Sequence, residues 1–282
     1  MLVLALDTAT PASTAALVEV TADGLVGLAE RRTVDPRAHG EKLAPEIAAT
    51  LAEAGVRPKD LGAIVAGLGP GPFTGLRVGL ATAESMAQAL GVPTYGVCSL
   101  DGLGRAAGPG RVLIATDARR REVYFATYQD GVRIFGPEVA KPADVAEVIR
   151  AATAADAIRA ATAAEVIGAV TGAQAPGTGP GAGTLPSTQA TGTAAAAVAG
   201  TGSRLGSSLA DLVARTAGEG ALKYGELFGV PVEEHLLYPP GAALVALAAE
   251  RIRSGAPSEA LTPLYLRRPD AVEPAGRKSV LT

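Results

Sequence analysis

Two aspartates follow short apolar runs in this chain and are the first candidates for chemistry. Asp7 comes directly after Leu2–Leu6, and Asp117 comes after Val112–Thr116. A carboxylate at the end of a buried strand can hold hydrated Mg²⁺ or take part in phosphoryl transfer. It can equally accept hydrogen bonds from the turn that follows. Turn stabilisation is the preferred interpretation of both aspartates, and phosphoryl chemistry stays open as the alternative.

The residue types that most often build catalytic and metal sites are scarce. His39 and His235 are the two histidines, and Cys98 is the one cysteine. Without a His-x-x-x-His pair or a group of cysteines, the chain cannot build the usual zinc sites, and one cysteine excludes an intrachain disulfide. Cys98 is therefore expected to pack as a small apolar residue. His39 is expected to cap a helix or to lie at an interface, with a catalytic base as the alternative.

The stretch 63–79 reads as an apolar strand, a glycine-proline loop and the start of a small-residue helix. A helix that begins just after a strand can bind an anion. Pro70 and Pro72 each lack a backbone donor, however, and the spacing fits neither a P-loop nor a dinucleotide motif. We therefore expect a rigid turn with Thr74 as the helix cap. Nucleotide binding, or a protein contact through Phe73, remains an alternative.

The elements that position these residues follow from the periodicity of the apolar side chains. Leu2–Leu6, Thr14–Val20 and Leu25–Arg32 predict a β-meander, and Ala63–Gly67 predicts a further strand. Helices are predicted over Gly40–Ala54, Gly75–Leu90 and Ala242–Arg253. The apolar stripes of the first two comprise Leu43, Ile47 and Leu51, and Leu76, Leu80, Ala83, Ala87 and Leu90, respectively.

A ridge of small residues overlaps the second of these stripes. Gly75, Gly79, Ala83 and Ala87 recur at every fourth position, so another backbone can approach the helix closely along this side. Packing inside the domain is one interpretation of the ridge, and a helix-on-helix subunit interface is the other.

The chain also contains an internal echo. The run Val112–Asp117 repeats Val3–Asp7 in residue type, and a polar turn and two strands follow each run. This pattern predicts two duplicated α/β lobes, with mixed sheets flanked by helices, over residues 1–105 and 106–282. Residues 151–203 are rich in Ala, Gly, Thr and Pro, and we expect them to form a mobile insertion in the second lobe.

Composition limits the classes of partner. The 282-residue chain has a net charge of −3 and a pI of about 5.6, which argues against a broad nucleic-acid-binding face. Any RNA contact is expected to be local or shared. Arg119–Arg121 predicts a solvated hairpin turn, or a contact with RNA phosphate or an acidic partner. Leu2–Leu6 is too short to span a membrane and lacks the basic flank of a signal peptide, so a cytoplasmic protein with no membrane contact is expected.

Several motifs together resemble the family of bacterial tRNA threonylcarbamoyladenosine biosynthesis proteins TsaB. They comprise Leu4–Thr10, His39 ahead of Leu43 and Pro45, the loop Gly69–Gly79, Asp117–Arg120 with Glu122–Tyr124, and the closing Pro263–Pro269. The loop is the specific part of the resemblance. Pro72 stands where the family commonly has Ser, and the insertion has no counterpart in it.

The resemblance implies an actin-like ATPase fold of two duplicated lobes and a role in forming threonylcarbamoyladenosine at adenosine 37 of tRNA. It implies a non-catalytic scaffold that supports a TsaD-like catalytic subunit, together with a TsaE-like ATPase, and that dimerises when alone. It also implies that the chain alone binds no cofactor, with ATP or ADP possible at the junction with the partner. The expected partner-binding residues are His39, Leu43, Ile47, Leu51, Phe73, Gly75, Leu76, Gly79, Ala83 and Ala87.

Two further functions are kept as alternatives. The first is a stand-alone ATPase or kinase of the actin-like superfamily that uses Asp7 as its acid–base or magnesium residue. The second is a peptidase, which the resemblance brings in through an older label of the superfamily and which the residues do not support. We therefore expect a non-enzymatic subunit.

Overall fold

The computed structural model describes residues 1–150 and 213–267. The chain divides into a unit of Met1–Val145 with Val213–Thr282 and a unit of Ala146–Leu212. The predicted insertion at 151–203 lies outside the described residues. Apart from the helix at 142–150, which extends into the second unit, the helices and strands of the described residues belong to the first unit.

The first half of the chain forms a five-stranded sheet with three helices. Its elements are β1 (Leu2–Asp7), β2 (Ala12–Val20), β3 (Leu25–Val34), α1 (His39–Glu53), a short 3-10 helix (Pro58–Asp60), β4 (Ala63–Gly67), α2 (Phe73–Leu90), β5 (Thr94–Val97) and α3 (Ser99–Ala106). The strand order is β3-β2-β1-β4-β5. β1 pairs antiparallel with β2 and parallel with β4, so the sheet is mixed.

The second half repeats this arrangement. Its elements are β6 (Arg111–Asp117), β7 (Val123–Gln129), β8 (Val132–Ala140), α4 (residues 142–150), β9 (Arg215–Ala217), α5 (Glu219–Phe228) and α6 (Gly241–Arg253). The strand order is β8-β7-β6-β9, with β6 antiparallel to β7 and parallel to β9. A meander followed by a parallel fourth strand therefore occurs twice. The predicted duplicated α/β fold with mixed sheets is confirmed.

Each face of the first sheet is covered by different helices, because side chains alternate along β1. Leu4 and Leu6 pack with the apolar stripes of α1 and α2. Val3 and Ala5 point to the other face and pack with Leu244 and other side chains of α6. The third core lies between the second sheet and α3.

Helix α6 joins the two halves of the chain. It lies within the predicted second lobe at 106–282, yet it packs on the first sheet, where a Cβ at Gly241 would lie 2.1 Å from the Cβ of Ala16. Segment 258–264 also contacts the first half of the chain: Ser258 Oγ accepts from Thr94 N at 3.0 Å, and Leu264 N donates to Leu68 O at 2.8 Å. The boundary at residue 105 stays a prediction.

The strands and helices that were predicted lie close to their predicted positions, with one error at the start of α2. β5, α3, α4, β9 and α5 were not predicted. The helix begins at Phe73 rather than Gly75, and Pro72 occupies the N-cap position. Thr74 is thus the second residue of the helix, and its predicted role as the cap is wrong. The backbone of Pro72 is extended, with φ −61° and ψ 133°, and the helix starts directly after it. No helix within residues 1–150 and 213–267 is long and apolar enough to cross a membrane.

Candidate functional site

The carboxylate of Asp7 is enclosed at the end of β1, where it is 1% exposed. Its Oδ1 accepts from Ala9 N at 3.1 Å, and its Oδ2 accepts from Ser99 Oγ at 2.5 Å. Burial raises the pKa of Asp7 to about 6, although the Ser99 hydrogen bond opposes this shift. The bond from Ala9 confirms the predicted turn-stabilising role. Both carboxylate oxygens are occupied within the chain.

Ser99 connects Asp7 to the glycine-proline loop and was not predicted. Its Oγ accepts from Gly69 N at 3.2 Å, and its own backbone N donates to Gly69 O at 2.8 Å. A Cβ at Gly67 would lie 1.8 Å from Asp7 Oδ2 and 2.6 Å from Ser99 Oγ. Glycine at this position is what allows β4 to pass so close to the carboxylate. The loop is therefore built as a closed structural turn, as the sequence indicated.

The second sheet carries a different cluster at the equivalent end. Asp117 accepts from Lys223 Nζ at 3.1 Å and from Arg119 N at 3.2 Å. The second carboxylate here is the half-buried Glu219, which begins α5 and accepts from Asp117 N at 3.0 Å and from Gly220 N at 3.1 Å. Burial, together with the charge of Asp117, raises the pKa of Glu219 to about 7. Asp117 thus also stabilises its turn, as predicted, whereas Glu219 and Lys223 were not anticipated.

Most of the predicted partner-binding residues are buried within the chain itself. This holds for His39, Leu43, Ile47, Leu51, Gly75, Leu76, Gly79, Ala83 and Ala87. The small-residue ridge faces β1 and its turn: a Cβ at Gly79 would lie 2.3 Å from Thr8 Oγ1, and one at Gly75 would lie 3.0 Å from Thr8 O. The close approach inferred from the ridge exists, but it is intramolecular. These nine side chains do not present a surface to another protein as the chain stands.

The outer faces of α1 and α2 carry a second set of small residues. On α1 the exposed small residues are Gly40, Ala44, Ala48 and Ala52, and on α2 they are Ala81, Ser85 and Ala89. Both sets recur at every fourth position, so each forms a ridge along its helix. α1 and α2 pack on the same face of the first sheet, so their outer ridges lie on the same side of the molecule. We refer to these seven residues as the outer ridges.

Phe73 is the exposed member of the predicted set. Its side chain is 46% exposed, and it stacks on Tyr265, which is 42% exposed, with ring centroids 5.2 Å apart. The guanidinium of Arg77 lies 4.9 Å from the centre of the Phe73 ring. Two aromatic rings and a cation thus form one stacked group at the start of α2.

His39 connects three elements inside the fold. Its Nδ1 lies 2.9 Å from Ser13 Oγ on β2, and its ring lies 3.0 Å from the Cβ position at Gly75 on α2. Burial lowers the pKa of His39, and the charge of Arg119 lowers it further. Ala38 occupies the N-cap position of α1, so the predicted capping role of His39 is wrong. Its contacts explain instead how α1 is fixed to β2 and α2.

Arg119, Arg120 and Arg121 form the tip between β6 and β7, as predicted. All three have left-handed backbone angles, with φ of 63°, 52° and 61°. The tip is closed by Glu122 N donating to Arg119 O at 2.9 Å. All three arginines are exposed.

Cys98 is buried, and burial raises the pKa of its thiol to about 11, so it packs as the small apolar residue that was predicted. Over residues 1–150 and 213–267 there is no group of three or more His, Cys, Asp or Glu side chains that could hold a metal ion.

Comparison with known proteins places these features in a family. The family model described as TsaD, tRNA N6-adenosine threonylcarbamoyltransferase, matches residues 33–273. The chain belongs to this family. Within it, the chain is a TsaB/YeaZ-like protein, on the basis of the relatives and the solved structure that follow.

An uncharacterised protein of Mycobacterium tuberculosis is 57% identical over 143 residues, which are 51% of this chain and 66% of that protein. The tRNA threonylcarbamoyladenosine biosynthesis protein TsaB of Escherichia coli is 39% identical over 133 residues, which are 46% of this chain and 55% of that protein. The chain thus matches about half to two-thirds of the length of these relatives. The structure of YeaZ from Pseudomonas aeruginosa is similar with a TM-score of 0.59 and 26% identity, covering 94% of this chain and 99% of that one.

Proposed function

We propose that this chain is a non-catalytic subunit in the formation of threonylcarbamoyladenosine in tRNA, and that it supports a TsaD-like threonylcarbamoyltransferase. The names of its relatives support the pathway. The observation that carries the supporting role is the pair of outer ridges on α1 and α2. They are exposed, although the apolar stripes of the same helices are packed in the core.

The outer ridges suit helix-on-helix docking. Small side chains let the backbone of a partner helix approach closely, which increases the number of van der Waals contacts. The charged side chains of Glu41, Lys42 and Glu84 lie on the same helices and are exposed, so they can form a polar rim around the small residues. The interface proposed here therefore uses α1 and α2, as expected from the sequence, but through their other sides.

The remaining partners follow from the same proposal. A TsaE-like ATPase would join the complex, tRNA would be reached through it, and the isolated chain would use the outer ridges to form a homodimer. ATP or ADP would bind at the junction with the catalytic subunit rather than to this chain alone.

The alternative of a stand-alone ATPase or kinase depends on Asp7, and the geometry around Asp7 does not favour it. A carboxylate that holds hydrated Mg²⁺ needs a free oxygen facing solvent or substrate. Asp7 is enclosed, and Ala9 and Ser99 donate to its two oxygens. We therefore keep the supporting role as the one proposal.

Co-purification tests the proposal directly. The full chain is mixed with the TsaD-like protein of its host, and complex formation is measured by size-exclusion chromatography. Ala48→Arg on α1 and Ser85→Arg on α2 place a long cation on each outer ridge and are expected to abolish the complex. Ala242→Arg is the matched control, because Ala242 is an exposed residue of α6 on the other face of the first sheet.

A wild-type chain that fails to bind would refute the proposal, and so would equal loss of binding in the control. Reconstituted tRNA modification provides the second measurement. The reaction is expected to require this chain and to fail with Ala48→Arg but not with Ala242→Arg. Substantial ATP turnover by the isolated chain that is abolished by Asp7→Asn would favour the alternative instead.

A further inference from the structure

The stacked group of Phe73, Tyr265 and Arg77 and the arginine tip at 119–121 are connected by the segment 265–267. Arg267 Nη1 donates to Ala118 O at 3.0 Å and forms an ion pair with Glu122. Arg267 follows Tyr265 by two residues, so the segment that supplies the stacked ring also anchors the base of the tip.

From this geometry we infer that the surface formed by Phe73, Arg77, Tyr265 and Arg119–Arg121 binds a single-stranded segment of RNA. Exposed aromatic faces stack on unpaired bases, and a guanidinium beside a ring extends the same platform. The arginine tip supplies cations for the phosphates that follow the stacked base. The inference goes beyond the scaffold role and rests on the proposed function only for the identity of the RNA, a tRNA.

The backbone of the tip supports a binding role for its arginines. Non-glycine residues seldom adopt left-handed angles, and each one costs on the order of 1–3 kcal/mol. A hairpin turn needs no arginine at such positions, because Gly, Asn or Asp would relieve the cost. Arg267 and Asp117 hydrogen-bond to the backbone at the base of the tip, so three consecutive exposed arginines are presented from one anchored turn. An acidic protein is the competing ligand for such charge, but it would not require the exposed stacked rings.

The first measurement is the affinity of the full chain for host tRNA, by fluorescence anisotropy at about 50 and 200 mM salt. Two variants probe the two halves of the surface. One is Phe73→Leu with Tyr265→Leu, which removes the rings and keeps apolar volume. The other is the triple change of Arg119, Arg120 and Arg121 to Asn, a residue that tolerates left-handed angles.

Each variant is expected to weaken binding by roughly tenfold or more, given the usual contribution of a stacked base or of several phosphate contacts. The triple variant should also lower the salt dependence, by about 0.7 in the slope of log K against log[salt] for each lost contact to single-stranded RNA. The matched control changes Arg57, Lys59 and Arg253 to Asn. It removes the same charge from exposed positions elsewhere and should bind RNA within twofold of wild type.

Ultraviolet cross-linking supplies a positional measurement, with peptides containing Phe73 or Tyr265 expected to carry a nucleotide. The inference would be overturned if the control triple variant weakened RNA binding as much as the arginine-tip variant, or if neither surface variant weakened it. It would also be overturned if an acidic peptide competed fully for the surface and single-stranded RNA did not compete. If Phe73→Leu abolished binding of the TsaD-like partner but left the affinity for RNA unchanged, the inference would also be overturned, and Phe73 would instead belong to the protein interface. Failure of the scaffold proposal is detected separately, through Ala48→Arg in the co-purification.

Discussion

Each sheet has an aspartate at the end of its equivalent strand, Asp7 on β1 and Asp117 on β6, but the surroundings of the two carboxylates differ. At the first sheet, Asp7 is enclosed by Gly67 and Ser99, and its hydrogen-bond partners are a hydroxyl and a backbone amide. At the second sheet, Asp117 is half-buried and pairs with Lys223, and a second half-buried carboxylate, Glu219, accepts from the backbone N of Asp117. One end is thus closed by neutral hydrogen bonds and the other by charges at the surface.

The difference shows that the equivalent ends of the two sheets have different structural roles. The first end fixes the loop that leads into α2, because Ser99 joins Asp7 to Gly69. The second end fixes the hairpin that carries the arginine tip, because Asp117 accepts from Arg119 N. A buried network of neutral donors should be sensitive to small changes in shape, whereas a solvated ion pair should not. The following predictions test that contrast.

The largest effect is expected from Gly67→Ala. The new methyl group would lie 1.8 Å from Asp7 Oδ2, so the carboxylate must move and lose its bond to Ser99. We expect the free energy of unfolding to fall by about 3 kcal/mol. Gly27→Ala on β3 is the control, because a Cβ there meets nothing within 4 Å. Urea denaturation of both variants measures the difference, and a loss below about 1 kcal/mol for Gly67→Ala would show that the first end is not tightly closed.

The pH dependence of stability should distinguish the carboxyls of Asp7 and Glu219. Their folded pKa values of about 6 for Asp7 and about 7 for Glu219 exceed the ordinary values of 3.8 and 4.5, so the folded chain binds protons more tightly than the unfolded chain. Their contribution to stability is therefore complete below about pH 4 and is lost as pH rises to about 7. Each shift corresponds to a change on the order of 3 kcal/mol.

Asp7→Asn should remove the part of this slope that ends near pH 6, and Glu219→Gln should remove the part that ends near pH 7. The measurement is the free energy of unfolding in urea from pH 4 to pH 8. If both variants retain the full slope of the wild type, the two carboxyls are not responsible for it.

An intermediate effect is expected from hydroxyl removal. Ser99→Ala leaves Asp7 Oδ2 buried without its donor, which should cost about 2 kcal/mol and move the pKa of Asp7 further upward. Thr116 on β6 is the matched residue of the second sheet, because its buried hydroxyl makes no hydrogen bond to any described residue. Thr116→Val should therefore be neutral or slightly stabilising. A larger loss for Thr116→Val than for Ser99→Ala would reverse the comparison.

Features that depend on contacts between residues close in the sequence could be predicted, and features that depend on contacts between distant residues could not. Apolar periodicity correctly located the first four strands and the stripes of α1 and α2, because the pattern lies within each element. It did not tell which small residues face inward: Gly79 packs on Thr8, which is remote in sequence, while Ala44, Ala48 and Ala52 form an equally regular ridge that stays outside. The leucines and isoleucine of the stripe were the stronger signal for the buried side.

The polar contacts were harder to predict for the same reason. Ser99 follows a strand as an isolated hydroxyl, and nothing near it in the sequence points to Asp7. Glu219 could have been predicted. Because β6 repeats the sequence pattern of β1, a strand and a helix equivalent to β4 and α2 are expected to follow it. The run Gly218–Gly220 ahead of an apolar helix is where that equivalent occurs. The tip arginines were recognised, but their link to Phe73 depends on Arg267, far along the chain.

The smallest effect is expected from Lys223→Met, which removes the ion pair of the second end. Lys223 is 52% exposed, so water already screens its charge, and the pair should contribute only about 0.5 kcal/mol. Met preserves the stem of the side chain and its helix propensity, so the change reports the charge alone. At about 1 M NaCl, where exposed pairs are screened, wild type and Lys223→Met should become indistinguishable, whereas the deficit of Ser99→Ala should persist. If Lys223→Met instead lowers the free energy of unfolding as much as Ser99→Ala does, and still does so at high salt, the carboxylate of the second sheet is as enclosed as that of the first. The contrast between the two ends would then be wrong.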